Sequence, residues 1–540
     1  MSGHPAERRS ADALIVGGRT TGLMLAIQLA RQGLDVRIVD GSPGVDPHSR
    51  ATLLHSRSLE LLDELGLTSE VVAKGQVLRR MRLFADGRFV MATESPPVDS
   101  PFPFGIAYSQ VRIERLLERE LETLGVEVER YTTLSSLDQD SSGVRVKLRH
   151  DDGREEHAEA SWLVGCDGAH STTRHLLGIG FPGTQSRYPY ILADVVADND
   201  APSDAWFYFL HDEGYLIFAI LDGGRRQIFG NLPEDHPAEG GPSLADIQGI
   251  VDRRTGGSYR LSDPRWLTYF HIHYRVAERF RQGRVFLAGD AAHLNSLVGG
   301  HGMNTGIQDA CNLAWKLATA HRGRASLTIL DSYEAERRPV AESMVEGSRA
   351  FTEPGERYPN MSAEERAALF KGFEKAGDEL IAFRRNFEEL DLDYGDSPLS
   401  YEAATDLPEE LRPGLEAHDA GPLLQQGESH HLFRFLGGPN HCLLVFAGDA
   451  GPSQETLDRA REAQEQHGSW IDVHLVVVRS GDAPAHDRLS TLLDSERDLT
   501  ARYGMRQGGL YLIRPDGYIA YRAKRLDGLE TYVETVVLAA

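Results

Sequence analysis

Three short, mostly apolar runs frame the chain: Ala13-Leu14-Ile15-Val16, Val36–Val39, broken only by Arg37, and Val285-Phe286-Leu287. Runs of that length without polar alternation are strands covered on both faces, as in the parallel sheet of an α/β fold. Apolar residues crowd positions 23–31 after the first run. After the third, from Asn304 onward, Ile307, Ala310, Cys311, Ala314, Leu317 and Ala318 recur with helical period. Residues 114–124 and 331–349 read as further helices. Between 181 and 280 the texture changes to aromatic and β-branched runs at 188–196, 206–210, 215–221, 227–230 and 266–274, which predict a mostly antiparallel sheet. Beyond it come a strand at 442–446, a helix at 454–466, a strand at 473–478, a hairpin of 510–513 with 518–522 about Pro515-Asp516-Gly517, and a closing helix. The expected fold class is therefore α/β. A Rossmann-like domain made of 1–180 and 281–414 is interrupted by the β-sheet domain 181–280 and followed, after a boundary near 414–428, by a third unit, 415–540.

Composition narrows the function. With 540 residues, 41% of them hydrophobic, the chain can bury several cores. No apolar stretch of about 18 residues occurs, and charges stand near the N-terminus where a signal peptide needs its apolar region, so a cytoplasmic protein without a membrane partner is expected. The three cysteines, Cys166, Cys311 and Cys442, are far apart in sequence and predict no disulfide framework, metal site or CxxC pair; they read as small apolar residues. A formal charge of -24 argues against nucleic acid or an acidic membrane, which leaves a small molecule as the target.

The chemistry sits at the strand ends. Gly17-Gly18-Arg19-Thr20-Thr21-Gly22 follows the first strand, and Asp40 ends the second about 20 residues on, which is the βαβ dinucleotide fingerprint in its required context. One position departs: Arg19 stands where the second fingerprint glycine lets the backbone approach a pyrophosphate, and its side chain either swings outward, pairs with a phosphate or blocks the cofactor. Gly289-Asp290 ends the third strand, and Gly299, Gly300 and Gly302 precede a helix whose first turn offers free N–H donors. Leu163 to Ser171 contains Asp167-Gly168, a carboxylate at a strand end followed by a Ser-Thr-Thr helix start.

Residues 283–318, GRVFLAGDAAHLNSLVGGHGMNTGIQDACNLAWKLA, resemble nearly letter for letter the second FAD-binding segment of the single-component (class A) flavoprotein aromatic hydroxylases, in the branch of phenol and polyketide hydroxylases. The resemblance implies that Asp290 bonds the ribityl chain and that the loop of Leu297, Gly299, Gly300, Gly302, Met303 and Asn304 lies against the pyrophosphate and isoalloxazine. It assigns cofactor contacts to Gly17, Gly18, Thr21, Gly22, Asp40, Arg50, Gln110, Gly168 and Gly289 as well, and gives Asp167 a part in both FAD binding and reaction with NAD(P)H. The string Tyr333-Glu334-Ala335-Glu336-Arg337-Arg338-Pro339 accompanies the family in a chiefly structural role, and the C-terminal unit resembles its thioredoxin-like domain without CxxC, serving packing or a homodimer contact. The implied reaction is transient docking of NAD(P)H to reduce FAD, addition of O2 at flavin C4a, and transfer of the terminal oxygen of the hydroperoxide to a small aromatic substrate, with no metal. A phenol or polycyclic aromatic is expected, because a carboxylate would call for an arginine clamp, for which Arg225, Arg226 and Arg275 are the candidates. His271, His273 and Tyr215 are the candidate catalytic side chains of the inserted sheet, the histidines because they alternate with apolar neighbours.

Two rival readings stand beside hydroxylation. The same flavin chemistry serves Baeyer-Villiger insertion, epoxidation and dearomatisation. Arg19, together with Leu297 where the family places a Pro, is also compatible with a flavin-poor binding protein.

Overall fold

The apolar runs become neighbours in one sheet. The computed structural model describes residues 9–198, 204–237, 240–325, 327–374, 378–404, 406–482, 489–525 and 528–534. Strand Arg9–Val16 lies at the centre, parallel to Val36–Val39 on one side and to Glu155–Gly165 on the other, and Val285–Leu287 extends the parallel set beyond Glu155–Gly165. Thr132–Gln139 and Val144–His150 add an antiparallel flap. Helices Thr20–Arg31 and His301–His321 pack together over one face, and the core between them holds Ile15, Leu23, Ile27, Val164, Phe286, Ile307 and Leu317, all fully buried. Burial of both faces gives the apolar stretch Trp162-Leu163-Val164, beside Ala13–Ile15, whereas the first half of Glu155–Gly165 alternates, and Arg37 inside Val36–Val39 is buried only as the partner of Glu129 and Glu156.

The inserted sheet has seven strands, in the order Arg260–Phe270, Tyr190–Asp198, Arg226–Asn231, Gly214–Ile220, Ala205–His211, Arg80–Ala85, Arg88–Glu94. Its last two strands correct the expected boundary: the sheet is not confined to 181–280 but takes in a hairpin from the segment assigned to the Rossmann-like domain. The hairpin turns at Asp86-Gly87, both at positive φ, and Arg80–Ala85 pairs in parallel with Ala205–His211. The run 266–274 is likewise two strands, not one. The chain bends after Phe270, where Ser186 and Ile272 exchange hydrogen bonds of 2.8 and 3.1 Å, and His273–Val276 joins a separate small sheet with Gly183–Gln185 and His293–Leu294. Helix Leu244–Thr255 covers the outer face of the large sheet through Ile247, Ile250 and Val251, against which Phe207, Phe209, Leu216 and Phe218 pack.

The C-terminal unit follows the expected order. His441–Phe446 and Ile471–Val477 run parallel, joined by helix Gln454–His467, and the antiparallel hairpin Gly509–Ile513/Ile519–Ala523 pairs beside them. The sheet reaches back across the expected boundary, because Tyr401–Glu402 pairs with Ile519–Ala523. The closing helix is seen over Leu529–Tyr532, and residues 535–540 of the expected helix lie outside the described residues. Cys166, Cys311 and Cys442 are all buried in apolar cores. Among the described residues no helix is long and apolar enough to cross a membrane.

Helix Asp331–Arg357 joins the units. Its Glu336 is fully buried and accepts from Arg514 through both oxygens at 2.8 Å, from Lys316 at 2.6 Å, Asn312 at 2.7 Å and Ser397 at 2.6 Å. Arg514 also binds Asp516, and Asp516 takes a second bond from Asn312. Burial alone would raise the Glu336 pKa, but Arg514 and Lys316 hold it far below the usual carboxylate range; burial pushes Lys316 down to about 8 against the pull of Glu336. Because breaking a buried pair strands its partners, Glu336→Gln is expected to lower stability by roughly 3–5 kcal/mol in urea unfolding. A loss under about 1 kcal/mol would show that the network is not what holds the C-terminal unit in place.

Candidate functional site

The carboxyl ends of the parallel strands, the inner face of the inserted sheet and the loop before helix His301–His321 enclose a cavity of about 610 Å³. Open α/β sheets bind ligands in this place, outside the strand ends. Its floor is Val16-Gly17, Val39-Asp40, Cys166-Asp167-Gly168 and Asp290; its roof is Trp206, Ile217, Ala219, Gln227 and Phe229; its side wall runs through Leu294, Asn295, Ser296, Leu297, Gly299, Gly300, Gly302 and Met303. The roof is built from two cross-strand pairs, Ile217 with Phe229 and Ala219 with Gln227.

Backbone crowding explains the glycines. Gly17 sits at φ 112°, and a Cβ there would stand 2.3 Å from the Cys166 carbonyl oxygen; one on Gly22 would stand 1.9 Å from the Gly17 carbonyl oxygen. Gly22 therefore serves helix-to-strand packing and does not line the cavity. Gly18 and Gly289 do not line it either: Gly18 donates its N–H to Asp40 at 2.5 Å, and Gly289 donates to buried Asp309 at 3.0 Å. Asn304 departs most from expectation. Its side chain is committed behind the loop, donating to Leu53 O and Gly300 O and accepting from His55 N–H, so it shapes the wall without facing the cavity.

Arg19 turns outward. At the start of helix Thr20–Arg31 its guanidinium reaches Asp46 at 3.0 Å, and Arg50 approaches the same carboxylate at 3.7 Å. Burial would raise the Asp46 pKa, but the His48 N–H and Arg19 lower it. The fingerprint turn is thus left open, with two cations at its mouth. The other acids differ in how far the protein already satisfies them. Asp40 accepts from Gly18 and Ser42, and Asp167 accepts from Thr173 N–H at 2.9 Å and from Ser171, which fixes both in place. Gln110 spends its amide on Glu114 at 2.8 Å, and that buried carboxyl, its pKa raised by burial, also takes Thr20 N–H at the helix start. Asp290 alone among these has no protein hydrogen-bond partner within the described residues: its carboxylate opens to the cavity while the surrounding protein desolvates it and pushes its pKa up, with His293, Arg50 and Arg19 opposing. An exposed carboxylate at the cavity with no protein partner is free to accept from a polyhydroxylated cofactor chain.

The three catalytic candidates fall outside. Tyr215 shares the inward face with Ile217 and Ala219 but lies past the cavity's end, where Gly355 lets helix Asp331–Arg357 down onto it; a Cβ on Gly355 would meet the Tyr215 ring at 2.5 Å. Ile272 and Tyr274 take the inward side of their segment, so His271 and His273 stand half-buried on the other. Burial, then Arg275 and His271, lower the His273 pKa. The inserted sheet was expected to roof the substrate, but its individual roof residues were not legible, because Gly214–Ile220 and Arg226–Asn231 are buried throughout and carry no polar alternation to mark the inward face. Sequence reasoning also missed Asp309, which is fully buried and receives His293 at 2.7 Å and Arg337 at 2.7 Å as well as Gly289.

A family model described as an FAD binding domain matches residues 10–348. The 6-methylpretetramide 4-monooxygenase of Streptomyces rimosus is 32% identical, across 96% of this chain and 92% of its own length. Pentachlorophenol 4-monooxygenase of Sphingobium chlorophenolicum is 30% identical, across 97% and 96%. Among solved structures, the ternary complex of aklavinone-11 hydroxylase with FAD and aklavinone is similar at a TM-score of 0.79 and 26% identity, covering 99% of this chain and 100% of that one.

Asp309 generates a pH prediction. Burial would raise its pKa, yet Arg337 and His293 hold it at about 2. A depressed carboxyl stabilises fully above its unfolded value, near 4, and the contribution of about 2 kcal/mol is lost as pH falls through the folded value. Asp309→Asn is expected to melt lower at neutral pH and to lose Tm less steeply than the parent between about pH 4 and 2. Parallel acid limbs would exclude this linkage.

Proposed function

We propose a function from the premise that the chain belongs to the family of FAD-binding aromatic monooxygenases: oxidation by O2 of a neutral phenol or polycyclic aromatic, with electrons from NAD(P)H. FAD, when bound, supplies the redox chemistry that activates oxygen. The protein's part is to hold, orient and shield. In this reading Asp40 takes the adenosine ribose, Arg50 the phosphates, the Gly299-Gly300 wall the pyrophosphate and ring, and Asp290 the ribityl hydroxyls, with Asp167 and Gln110 bordering the same cradle.

The observation that carries the substrate class is the roof. Trp206, Ile217, Ala219 and Phe229 present an apolar surface with Gln227 as its polar member, and no Lys or Arg belongs to it among the described residues. The candidate clamp arginines are engaged elsewhere: Arg225 binds Asp194 at 2.7 Å, Arg226 lies over Phe207, and Arg275 lies over Phe181. Gln227 spends its Nε2 on Ser49 O at 2.7 Å, which leaves its carbonyl oxygen to accept a phenolic O–H. The related hydroxylases of anhydrotetracycline and aklavinone have names that fit a polycyclic substrate of this kind. The C-terminal unit, with its parallel βαβ pair and flanking hairpin, reads as a thioredoxin-like domain used for packing.

Three measurements test this reading. The purified protein, incubated with FAD, is expected to show flavin absorbance at one FAD per chain. Asp290→Ala is expected to weaken FAD by on the order of 1.5–3 kcal/mol in fluorescence titration, the worth of a charge-assisted hydrogen bond. Across a panel of phenols, hydroxybenzoates and polycyclic quinones, NADPH oxidation coupled to incorporation of labelled O2 is expected with neutral ligands; stimulation by carboxylates alone would reverse the substrate assignment.

A further inference from the structure

Behind the Gly299-Gly300 wall, two histidines and two glutamates from three stretches of chain meet out of reach of solvent. His55 is fully buried; its Nε2 lies 2.9 Å from the Gly299 carbonyl oxygen, and its backbone N–H goes to Asn304 Oδ1 at 3.0 Å. Its Nδ1 has no hydrogen bond, and Glu388 Oε2 stands 3.5 Å from it. Glu388 is fixed by Ser56 N–H at 2.7 Å and by Arg384 on its other oxygen. His301 stacks on His55 with ring centres 4.9 Å apart and gives its Nδ1 to Glu389 at 2.8 Å. Glu389, also bound by Gln308, sits at φ 60°, a conformation a glutamate keeps only where its surroundings impose it. Phe387 closes the cluster edge-on to both rings.

The geometry fixes the proton on His55. A nitrogen facing a carbonyl oxygen must carry hydrogen. Nε2 therefore carries the hydrogen it gives to Gly299, while Nδ1 faces the Glu388 carboxylate, which Arg384 also approaches. The two rings stack nearly parallel, with planes 19° apart, and with Glu389 their ligand atoms lie within 4.8 Å of one another, so a shared metal is the alternative that the test has to exclude. What the cluster grips is the loop: Gly300 N–H closes the turn on Leu297 O at 3.1 Å, Asn304 holds Gly300 O at 2.8 Å, and His55 holds the Gly299 carbonyl turned away from the cavity.

We propose that His55 is the positioning residue of the cofactor wall: held between Glu388 and the Gly299 carbonyl, it sets the Gly299-Gly300 peptide against which FAD seats. The inference rests on FAD as the ligand of the cavity. The test compares His55→Leu, His55→Gln and Glu388→Gln in the full-length protein by FAD fluorescence titration and by the visible spectrum of bound flavin, with the Tm of each protein before FAD is added. His55→Leu, which cannot donate, is expected to weaken FAD about tenfold and to shift the flavin bands, whereas His55→Gln, whose amide reaches the same carbonyl, stays within about threefold of the parent. Glu388→Gln removes the charge assistance and keeps the donor, so an intermediate loss is expected. Equal behaviour of the Leu and Gln variants, or parental affinity and spectrum in all three, overturns the proposal. If His55→Leu does not fold, the remaining pair decides: a loss in Glu388→Gln with His55→Gln near parental supports it, and two parental variants overturn it. Stoichiometric zinc or nickel in the purified protein, removed by chelator together with FAD affinity, also overturns it. A parent protein that takes up no FAD defeats the cofactor reading instead.

Discussion

One buried carboxylate organises the centre of the molecule. Asp309 lies on helix His301–His321, with no access to water, and collects Gly289 N–H, His293 and Arg337. Gly289 precedes Asp290, so this knot determines where the cavity's unsatisfied acid stands. Arg337 continues the line by binding Tyr394 and the Thr305 carbonyl. A charge this deep is tolerable only because each oxygen has a charged or backbone donor, and the same requirement makes its position rigid.

The neighbouring residue does the equivalent work for the other half. Glu336 and Arg337 are adjacent on helix Asp331–Arg357 and face different sides: Arg337 binds the cofactor side through Asp309, and Glu336 binds the C-terminal unit through Arg514. The same helix then runs on to the inserted sheet, where Gly355 admits Tyr208 and Tyr215 and where Tyr190 donates to Glu356 at 2.5 Å. One helix therefore references three sheets to a common axis. The cavity, which all but the C-terminal sheet help to enclose, inherits its dimensions from that alignment.

Much of this was legible in the chain. The parallel strands could be read because burial on both faces leaves apolar runs toward their carboxyl ends, and the glycine turns because only glycine fits within 2.5 Å of a neighbouring carbonyl oxygen at Gly17 and Gly22. The hairpin Arg80–Glu94 also left a local signal, Asp86-Gly87 between strand-like residues, but its partner Ala205–His211 is distant in sequence and no local pattern names it. For His271 and His273 the alternation was legible and the two do share a side, but the pattern could not say which: Ile272 and Tyr274 take the interior. Asn304 and Arg19 show the limit of residue type as a guide, since each has the polarity of a cofactor contact and each has met protein groups instead. Arg514 and Glu388 gave no sign, because a buried ion pair looks like surface charge until both partners are placed.

The interdomain network has a consequence for synthesis on the ribosome. Glu336 and Lys316 are made early, but Arg514 is added 178 residues after Glu336. Until Arg514 emerges, Glu336 and Lys316 have each other, Asn312 and Ser397 but no second cation, and hydration is the better partner for such a pair. The flavin-binding half therefore emerges with part of its interior wet, and it closes only when the hairpin Gly509–Ile513/Ile519–Ala523 delivers Arg514 and Asp516. For this chain, vectorial folding from the N-terminus stops one layer short, and the last-made hairpin completes the first-made domain.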